Sequence, residues 1–310
     1  MQSKVSLIAT VYNEAASIGR LLSSIISLTR FPDECIFVDA GSSDGTIDII
    51  NDFVKDHPWV VLKVVPGVNI ARGRNIVIEK ARYDIIAITD GGARLDTTWL
   101  SNLVVPLEED DSTDVVAGWT VMEPHSRFEK WVSLIQRQPE TLDMQNYLPS
   151  ARSLALRKEV WVAAGKFPEN LKRWAEDSAF MVQVRKIGLK VKLVPEAKVY
   201  WRPRGSLRSF WTQYVHYGYG DGEARLFSFT YIKRIVLLCS VLTFLVGIFF
   251  NWFVAAVSGF VTAIGFFRLM LPLRSPTLSV WKLIPLYVLV LFSEAAKTAG
   301  YVWATSRSIK

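Results

Sequence analysis

The chain has 310 residues, half of them apolar, and a formal net charge of +7 at pH 7. That length accommodates one large or two small domains, and the apolar share is high for a soluble protein but modest for a polytopic transporter. Residues 231–310 carry eight basic residues and one acid, whereas residues 1–230 carry 28 of each. Because the body of the chain is neutral, the charge does not indicate binding to a nucleic acid polymer.

Strand-like and helix-like patterns alternate over the first hundred or so residues. The predicted strands are 5–11, 35–39, 60–65 and 84–89, and the predicted helices are 15–28, 44–55, 71–82 and 97–107. This βα series predicts an α/β fold with a mostly parallel, Rossmann-like sheet and helices on both faces. Further elements are predicted as strands 114–122 and 151–156 and helices 128–137, after 158 and 177–187. No Gly/Ser/Pro-rich linker intervenes, so they are expected to extend the same sheet.

The C-terminal tail contains three apolar runs, 233–250, 252–270 and 283–303, each close to the length of a membrane-spanning helix. Basic residues at the outer ends of the first two runs predict a hairpin whose turn, at Asn251, faces away from the cytoplasm. The third run contains Glu294 and Lys297, which can pair at i,i+3. It either spans or lies against the other two runs, and we favour spanning.

The first strand begins within a few residues of Met1, which leaves no room for a signal peptide. We therefore expect residues 1–230 to form a cytoplasmic domain and residues 231–310 to form a membrane domain. The expected location is the cell membrane, with several passes through the bilayer.

The first predicted strand ends in a polar motif, Thr10-Val-Tyr-Asn-Glu14. The side chains of Thr10, Tyr12, Asn13 and Glu14 can contact a base and a ribose. A dinucleotide-binding Rossmann site would need a Gly-x-Gly-x-x-Gly turn here, and this motif has none. The alternative is that Asn13 and Glu14 only cap the following helix.

The second predicted strand ends at Asp39, in Asp39-Ala-Gly-Ser-Ser-Asp-Gly-Thr46. Two glycines allow the backbone to approach a ligand closely or to adopt positive φ. Asp39 can accept from a base N–H or a ribose hydroxyl, while Asp44 holds the loop and the helix N-terminus. The alternative is a plain connection between a strand and a helix.

The third helix opens with Arg72, Arg74 and Asn75. Guanidinium groups match phosphate oxygens by charge and by paired N–H donors, and a helix N-terminus adds positive potential. The alternative is a solvated basic helix end. Asp90 and Gly91 follow the next strand, and an acid there can bind ribose or a divalent metal on a diphosphate.

Residues 4–225 resemble the family 2 glycosyltransferases of the GT-A fold. The resemblance rests on the joint occurrence of Thr10-x-x-Asn-Glu14, Asp39-x-Gly-Ser-Ser-Asp-Gly-Thr46, Ala71-Arg-x-x-Asn75, Asp90 and Glu176-Asp177. It implies that the first-strand motif and Asp39 bind the nucleotide and that Asp90 begins an Asp-x-Asp element. It also implies that Asp177, beside Glu176, is the general base of an inverting transfer from a nucleoside-diphosphate sugar.

One position departs from that pattern. Gly92 stands where Asp-x-Asp would place its second acid, which takes a leading part in holding Mn²⁺ or Mg²⁺. A divalent cation at Asp90 is still expected, but with weaker dependence than in an intact site. Asp96 is interpreted as a helix cap rather than a replacement ligand.

Arginines alternate with aromatic residues from Trp201 to Gly222, as is typical of a segment at a membrane interface. The residues that we expect to contact the acceptor or the interface are Trp201, Arg202, Arg204, Gln213 and His216. A metal-ligand role for His216 is disfavoured.

The sequence thus predicts a membrane-anchored hexosyltransferase-like enzyme that moves a sugar from a nucleotide donor, UDP-sugar as a first guess, to a hydroxyl on a lipid or glycan of the cell envelope. One alternative is a polyprenyl-phosphate sugar transferase, which Arg202, Arg204 and Arg208 keep open. The other is a catalytically silent nucleotide-sugar-binding membrane protein, which Gly92 suggests.

Overall fold

The computed structural model of the chain describes residues 2–136, 139, 142, 147–171, 174–270 and 280–307. The chain divides into two compact units, one of Met1–Glu123 with Gln145–Trp201 and the other of Pro124–Met144 with Arg202–Lys310. This division falls earlier than the domain boundary expected near residue 230, which stays a prediction.

The first unit is built on one eight-stranded sheet with the order β3-β2-β1-β4-β7-β6-β8-β5. The strands are β1 Val5–Val11, β2 Glu34–Asp39, β3 Val60–Val64, β4 Ile85–Asp90, β5 Arg94–Leu95, β6 Val115–Met122, β7 Leu154–Arg157 and β8 Val191–Trp201. Strands β1 to β4 pair in parallel, β7 runs antiparallel to β4 and β6, β8 pairs in parallel with β6, and β5 is antiparallel to β8. The predicted α/β fold is confirmed.

Among the described residues, helices follow most of the strands and make up the tail. They are α1 Ile18–Ile26, α2 Thr46–Asp56, α3 Ile70–Lys80, α4 Trp99–Glu109, α5 Arg127–Ser133, α6 Lys158–Ala163, α7 Glu176–Lys186, α8 Leu207–Glu223, α9 Ser228–Phe250, α10 Trp252–Met270 and α11 Val280–Arg307. In the first unit the predicted helices are confirmed within a few residues. The helix predicted at 128–137 ends at Ser133, and residue 137 lies outside the described residues.

Each face of the sheet is covered because its central strands are apolar on both sides. Leu7 and Phe37 point into one buried cluster, and Ile8 and Ile36 into the other. This alternation follows from the two-residue period of a strand. Helices α1, α2 and α4 contribute to the first cluster, and α3, α6 and α7 to the second. The open carboxyl ends of the strands are left between the two helical layers.

Strands β5 and β8 were missing from the sequence prediction. β8 carries three charged residues, Lys192, Glu196 and Lys198, and only Ala197 and Val199 within it are fully buried. Its pairing with β6 shifts register between Ala117 and Trp119, where a Cβ on Gly118 would overlap Ser153 and the Ala197 carbonyl oxygen. The strand is therefore specified by a close approach of backbones rather than by an apolar pattern.

The second unit contains α5 and α8 to α11. The segment expected to be an interfacial stretch forms α8, whose N-cap Ser206 accepts a hydrogen bond from the Ser209 amide. α8 packs against α11 along glycines, since a Cβ on Gly218 would overlap the Lys297 carbonyl oxygen and one on Gly300 would overlap that of Val215. The two helices therefore approach at backbone distance.

The tail forms the predicted pair of helices, with Asn251 between α9 and α10. Asn251 Oδ1 accepts hydrogen bonds from the Phe253 and Val254 amides at 3.0 and 3.2 Å and so caps α10. Among the described residues, α9 alone is long and apolar enough to cross a membrane by length and composition, and α10 contains a shorter apolar run, Trp252–Gly265.

The third apolar run is also helical, as α11. The predicted pair of Glu294 with Lys297 is present, at 3.7 Å, and Glu294 is also paired with Arg234 of α9. Whether α11 spans a membrane stays a prediction.

Candidate active site

The polar motifs of the first, second and fourth strands meet at one edge of the sheet. β1 lies between β2 and β4, and the register places Val11 beside Asp39 and Thr10 beside Asp90. Because parallel strands end at the same edge, Asp39 and Asp90 flank the end of β1, where open α/β sheets bind ligands. We call this edge the carboxyl edge.

The loops after β1 and β2 are tied to each other. The Asn13 amide donates to Ser42 Oγ at 2.8 Å, Asn13 Oδ1 accepts from the Ser43 amide at 3.0 Å, and the Ala15 amide donates to Asp44 Oδ2 at 3.0 Å. Asn13 adopts a left-handed conformation with φ 54°. It holds the neighbouring loop and does not cap α1.

Asp44 has the loop-holding position that the sequence predicted. Its Oδ1 accepts from the Thr46 amide at 3.1 Å, in addition to the bond from Ala15. Hydrogen bonds from the Thr46 hydroxyl and from the Ala15 amide lower the pKa of Asp44. The carboxylate therefore stays ionised and keeps the two loops together.

Asp39 is fully buried and folds the loop that follows it. Its Oδ1 accepts from the Gly41 and Ser42 amides at 2.8 and 2.7 Å, and its Oδ2 accepts from Ser42 Oγ at 2.6 Å. Gly41 has φ +95°, which favours glycine. A carboxylate offers about four acceptor positions, of which these bonds use three, and the buried side chain exposes none to solvent. The nucleotide contact of Asp39 stays a prediction.

Tyr12 and Glu14 stand at the same edge with more access to solvent. The Tyr12 side chain is 54 % exposed, while Glu14 is partly buried and its carboxylate accepts from the Ser17 hydroxyl. The Glu14 amide donates to Thr46 Oγ1 at 2.8 Å. The structure thus brings the whole first-strand motif next to the second one.

Arg74 joins two acids that are distant in sequence. Its guanidinium lies 2.9 Å from Asp90 Oδ1 and 2.5 Å from Glu176 Oε1, and its side chain is 2 % exposed. Burial raises the pKa of Glu176, and the attraction of Arg74 opposes that rise. Arg74 was expected to contact phosphate, but in the structure its guanidinium forms ion pairs with Asp90 and Glu176.

The neighbours of Arg74 in the motif have opposite surroundings. Asn75 is buried, and its amide group donates to the Phe167 carbonyl and Glu169 Oε1 and accepts from Trp161 Nε1 and the Phe167 amide. All four hydrogen-bonding positions of its side chain are used, so Asn75 fixes α3 to the following chain and has none left for the ligand contact predicted for it. Arg72 is exposed at the start of the same helix.

Asp177 lies at the second helical position of α7, next to Glu176. Its Oδ1 accepts from the Ser178 amide at 2.7 Å and its Oδ2 from the Ala151 amide at 3.3 Å. The side chain is half-buried. A helix N-terminus favours a negative charge, so this position suits a carboxylate.

Sequence reasoning missed Arg152, which follows the Ser150 turn before β7. Its Nε lies 3.5 Å from Asp90 Oδ2, and its guanidinium lies 4.8 Å from the centre of the Trp201 ring. Tyr147 lies on the same side, and burial raises the pKa of its hydroxyl to about 12. No motif or spacing marked Arg152, because its partners Asp90 and Trp201 are far from it in the chain.

The predicted acceptor residues are divided between the units. Trp201 ends β8 in the first unit, whereas the other four belong to the second. There Arg202 is paired with the buried Glu129 at 2.9 Å, and Gln213 Nε2 donates to the Tyr217 hydroxyl at 2.8 Å. Arg204 precedes α8 and His216 lies on it.

The acids at this edge do not fit the two-acid metal clamp of the resemblance. Asp90 faces a guanidinium on each oxygen, and Gly92 supplies no carboxylate. Asp96 accepts from the Thr98 amide and the Tyr200 hydroxyl, as a helix-start residue would. In the part of the chain that the structure describes, no three Asp, Glu, His or Cys residues are grouped so that they could hold a metal ion.

Gly91 packs its backbone against the end of β1. Its amide donates to the Thr10 carbonyl at 3.1 Å, and a Cβ there would lie 3.3 Å from that oxygen.

A sheet of this order with acids at its carboxyl edge is the architecture of GT-A glycosyltransferases. Solved structures agree with that class.

The mannosyltransferase PcManGT from Pyrobaculum calidifontis, in complex with GDP-Man and Mn²⁺, has a TM-score of 0.63 at 18% identity, over 98% of this chain and 87% of that one. The structure of GalNAc-T7 with UDP, GalNAc and Mn²⁺ has a TM-score of 0.53 at 15% identity, over 65% of this chain and 44% of that one. At these identities the likeness shows the fold alone.

Sequence comparison gives the family. The model of glycosyl transferase family 2 matches residues 6–159. Residues 6–159 therefore belong to that family.

Two relatives show how far the sequence similarity extends. A poly-beta-1,6-N-acetyl-D-glucosamine synthase of Staphylococcus epidermidis is 23% identical over 73% of this chain and 56% of its own length. Glycosyltransferase AglE of Haloferax volcanii is 29% identical over 54% of this chain and 57% of its own length. The chain thus spans a little over half the length of these relatives.

Proposed function

We propose that the protein is a membrane-associated, inverting glycosyltransferase that moves one sugar from a nucleoside-diphosphate sugar to a hydroxyl on a lipid or glycan. The observation that carries the proposal is the bridge of Arg74 between Asp90 and Glu176, at 2.9 and 2.5 Å. It places the α7 acids beside the strand-end acids. Donor-binding and proton-accepting groups can therefore act on one ligand.

The nucleotide is proposed to lie across the ends of β1 and β2. The exposed Tyr12 ring offers a face to the base. Asp39 has one acceptor position that no protein group uses, and a base N–H or a ribose hydroxyl would reach it only after the groups that bury it move aside. Arg72, exposed at the N-terminus of α3, is placed to contact a phosphate. A UDP-sugar is the first donor to test.

Asp177 is the proposed general base. The acceptor hydroxyl gives its proton to the Asp177 carboxylate as its oxygen bonds to the anomeric carbon from one side. The bond from that carbon to the diphosphate oxygen breaks on the other side, and its electron pair leaves with the nucleoside diphosphate. Asp177 suits this role because it is half-buried yet held by two backbone amides.

The tail is proposed to anchor the enzyme in a membrane, with α9 and α10 as a hairpin. The aromatic side chains of Phe249, Phe250 and Trp252 beside Asn251 are 82, 84 and 80 % exposed. Apolar exposure of that extent on consecutive helices is what a lipid-facing surface requires. The basic ends of the hairpin would then face the cytoplasm, and the catalytic domain is proposed to be cytoplasmic too.

A hydroxyl acceptor is preferred over a polyprenyl phosphate. Arg202 was one of the arginines that kept a phosphate acceptor open. Its guanidinium lies 2.9 Å from the buried Glu129, which offsets part of its charge although the arginine side chain is half-exposed. A phosphate acceptor would have to compete with that carboxylate.

The experiment is a donor panel incubated with the full chain and membrane lipid extract, with mass spectrometry of the products. We expect one nucleotide sugar to yield a product heavier than its acceptor by one sugar unit. Asp177→Asn should lower turnover by about 10²- to 10⁴-fold while donor affinity changes only a few-fold. Donor binding without transfer by the wild type would instead support a nucleotide-sugar-binding protein, and near-normal turnover of the variant would remove Asp177 as the base.

A further inference from the structure

Asp90 is held between two guanidinium groups. Arg74 Nη2 lies 2.9 Å from one carboxylate oxygen, and Arg152 Nε lies 3.5 Å from the other. A cation ligated by Asp90 would have to displace at least one of these contacts and would then lie beside a positive charge. The position of Gly92 supplies no second carboxylate to offset that repulsion.

The two arginines differ in access to solvent, although each has a buried Nε that makes no hydrogen bond within the described residues. Arg74 is 2 % exposed and uses both terminal nitrogens on acids, whereas the Arg152 side chain is 19 % exposed. Arg152 Nε is buried and makes no hydrogen bond within the described residues, since 3.5 Å is too long for a strong one. The Trp201 ring, 4.8 Å away, keeps the guanidinium in place.

We propose, resting on the glycosyltransferase function above, that Arg152 contacts the donor diphosphate and supplies the positive charge that a bound divalent cation would otherwise provide. A guanidinium presents paired N–H donors that match phosphate oxygens. As the bond to the anomeric carbon breaks, the nucleoside diphosphate gains negative charge, which Arg152 is placed to offset. Donor binding by this chain then needs no added metal.

A specific rival uses Glu14. A Cβ on Gly92 would lie 3.3 Å from Glu14 Oε2, so the Glu14 carboxylate occupies the neighbourhood of the missing acid. Asp90 and Glu14 would then hold a cation in place of the acid pair of Asp-x-Asp. The two mechanisms give opposite responses to chelation.

The test is calorimetry of the full chain in detergent with UDP and GDP, and with uridine and guanosine as nucleoside probes. Each titration is run with EDTA and with MnCl₂. The variants are Arg152→Met, Arg152→Lys and Glu14→Gln. Arg82→Met is the matched control, because Arg82 also pairs with an acid, Glu34, and lies over an aromatic ring, but not at the carboxyl edge.

We expect the tighter diphosphate to bind the wild type with affinities that agree within about threefold in EDTA and in MnCl₂. Arg152→Met should weaken diphosphate binding at least about tenfold while nucleoside binding and the unfolding temperature stay unchanged. Arg152→Lys should lose less diphosphate affinity than Arg152→Met, since lysine keeps the positive charge. Arg82→Met should bind like the wild type.

If the wild type binds the diphosphate more than about tenfold more weakly in EDTA than in MnCl₂, the inference is overturned. If Glu14→Gln then abolishes this response to metal, the cation is assigned to Asp90 and Glu14. Unchanged diphosphate affinity in Arg152→Met would also overturn it. Should Arg152→Met not fold, the chelation arm and Arg152→Lys decide. Failure of the wild type to bind either diphosphate, with or without Mn²⁺, would instead refute the proposed function and the inference with it.

Discussion

Arg72 and Arg74 lie two positions apart on α3 and face different surroundings. Arg72 is exposed, whereas Arg74 is 2 % exposed and bound to two carboxylates. Adjacent members of one motif therefore divide into a surface cation that a ligand can reach and a buried cation that connects strands to α7. The motif alone does not reveal this, because both residues have the same charge and donors.

These surroundings predict that substitution of Arg72 weakens ligand binding, whereas substitution of Arg74 lowers the stability of the fold. Arg72→Ala should leave the unfolding temperature unchanged and weaken nucleoside-diphosphate binding by about 1.5 to 3 kcal/mol, the usual value of a charge-assisted hydrogen bond. Arg74→Ala should destabilise the protein by about 3 to 5 kcal/mol, because it leaves Glu176 buried without its partner. Thermal unfolding and calorimetry on both variants test this. Equal unfolding temperatures would show that the Arg74 bridge is not structural.

Asn75 is also predicted to be structural. Asn75→Ala leaves the Trp161 indole N–H and two backbone groups of Phe167 without partners, so we expect a loss of about 2 to 4 kcal/mol in unfolding free energy. Asn51→Ala, at an exposed position of α2, is the matched control and should change little. Denaturant unfolding gives both numbers. If Asn75→Ala is as stable as its control but binds nucleotide poorly, the side chain contacts the ligand after all.

At the level of elements, α8 and α11 are fitted to each other by small residues. Gly218 and Gly222 of α8 face Lys297 and Tyr301 of α11, and Gly300 faces α8 in return. Aromatic contacts continue this packing, with Phe210 against Phe292. Small residues allow helices to approach closely enough for van der Waals contact along their backbones, which stabilises helix pairs in membranes as well as in water.

Gly218→Ala should therefore damage the second unit. Its Cβ would overlap the Lys297 carbonyl oxygen, which belongs to backbone and cannot move aside. We expect a loss of about 1 to 3 kcal/mol or more, the usual cost of overpacking. Gly19→Ala in α1 is the control, because a Cβ there meets nothing within 4 Å, and it should be neutral or stabilising. Thermal unfolding in one detergent compares them, and matching temperatures would contradict the proposed packing.

For the whole molecule, the packing of α8 determines how the chain can be divided. Residues 1–230 contain the complete sheet, so we expect this fragment to fold its first unit and bind a nucleoside diphosphate. It lacks α11, however, so Phe210 loses Leu289 and Phe292. We therefore expect the fragment to need detergent despite its neutral charge.

The control fragment carries Phe210→Ser and Tyr214→Ser, and it should stay monodisperse with less detergent. Size exclusion with light scattering compares the two, and a nucleotide-induced thermal shift confirms folding. A fragment 1–230 that is monodisperse without detergent would contradict this view. A fragment that does not fold would show that the tail completes the first unit.

The elements of the βα series could be predicted from sequence because their causes are local. β1, β2 and β4 are apolar runs that end in polar residues, so their ends and the acids Asp39 and Asp90 follow from patterns a few residues long. The family was predicted for the same reason. β8 was not, because it is held by a neighbour rather than by its own apolar pattern.

The partners of the site residues required the tertiary structure. Arg74 and Glu176 are 102 residues apart, and Arg152 meets Asp90 and Trp201 across three different strands and turns. A charge in sequence does not indicate whether solvent, a ligand or another side chain will balance it. That choice depends on which groups the folded chain buries together. The sequence by itself determined the parallel strands β1 to β4, their acidic edge and the apolar tail, whereas only the fold decided where β5 and β8 pair and which arginines are already paired with acids.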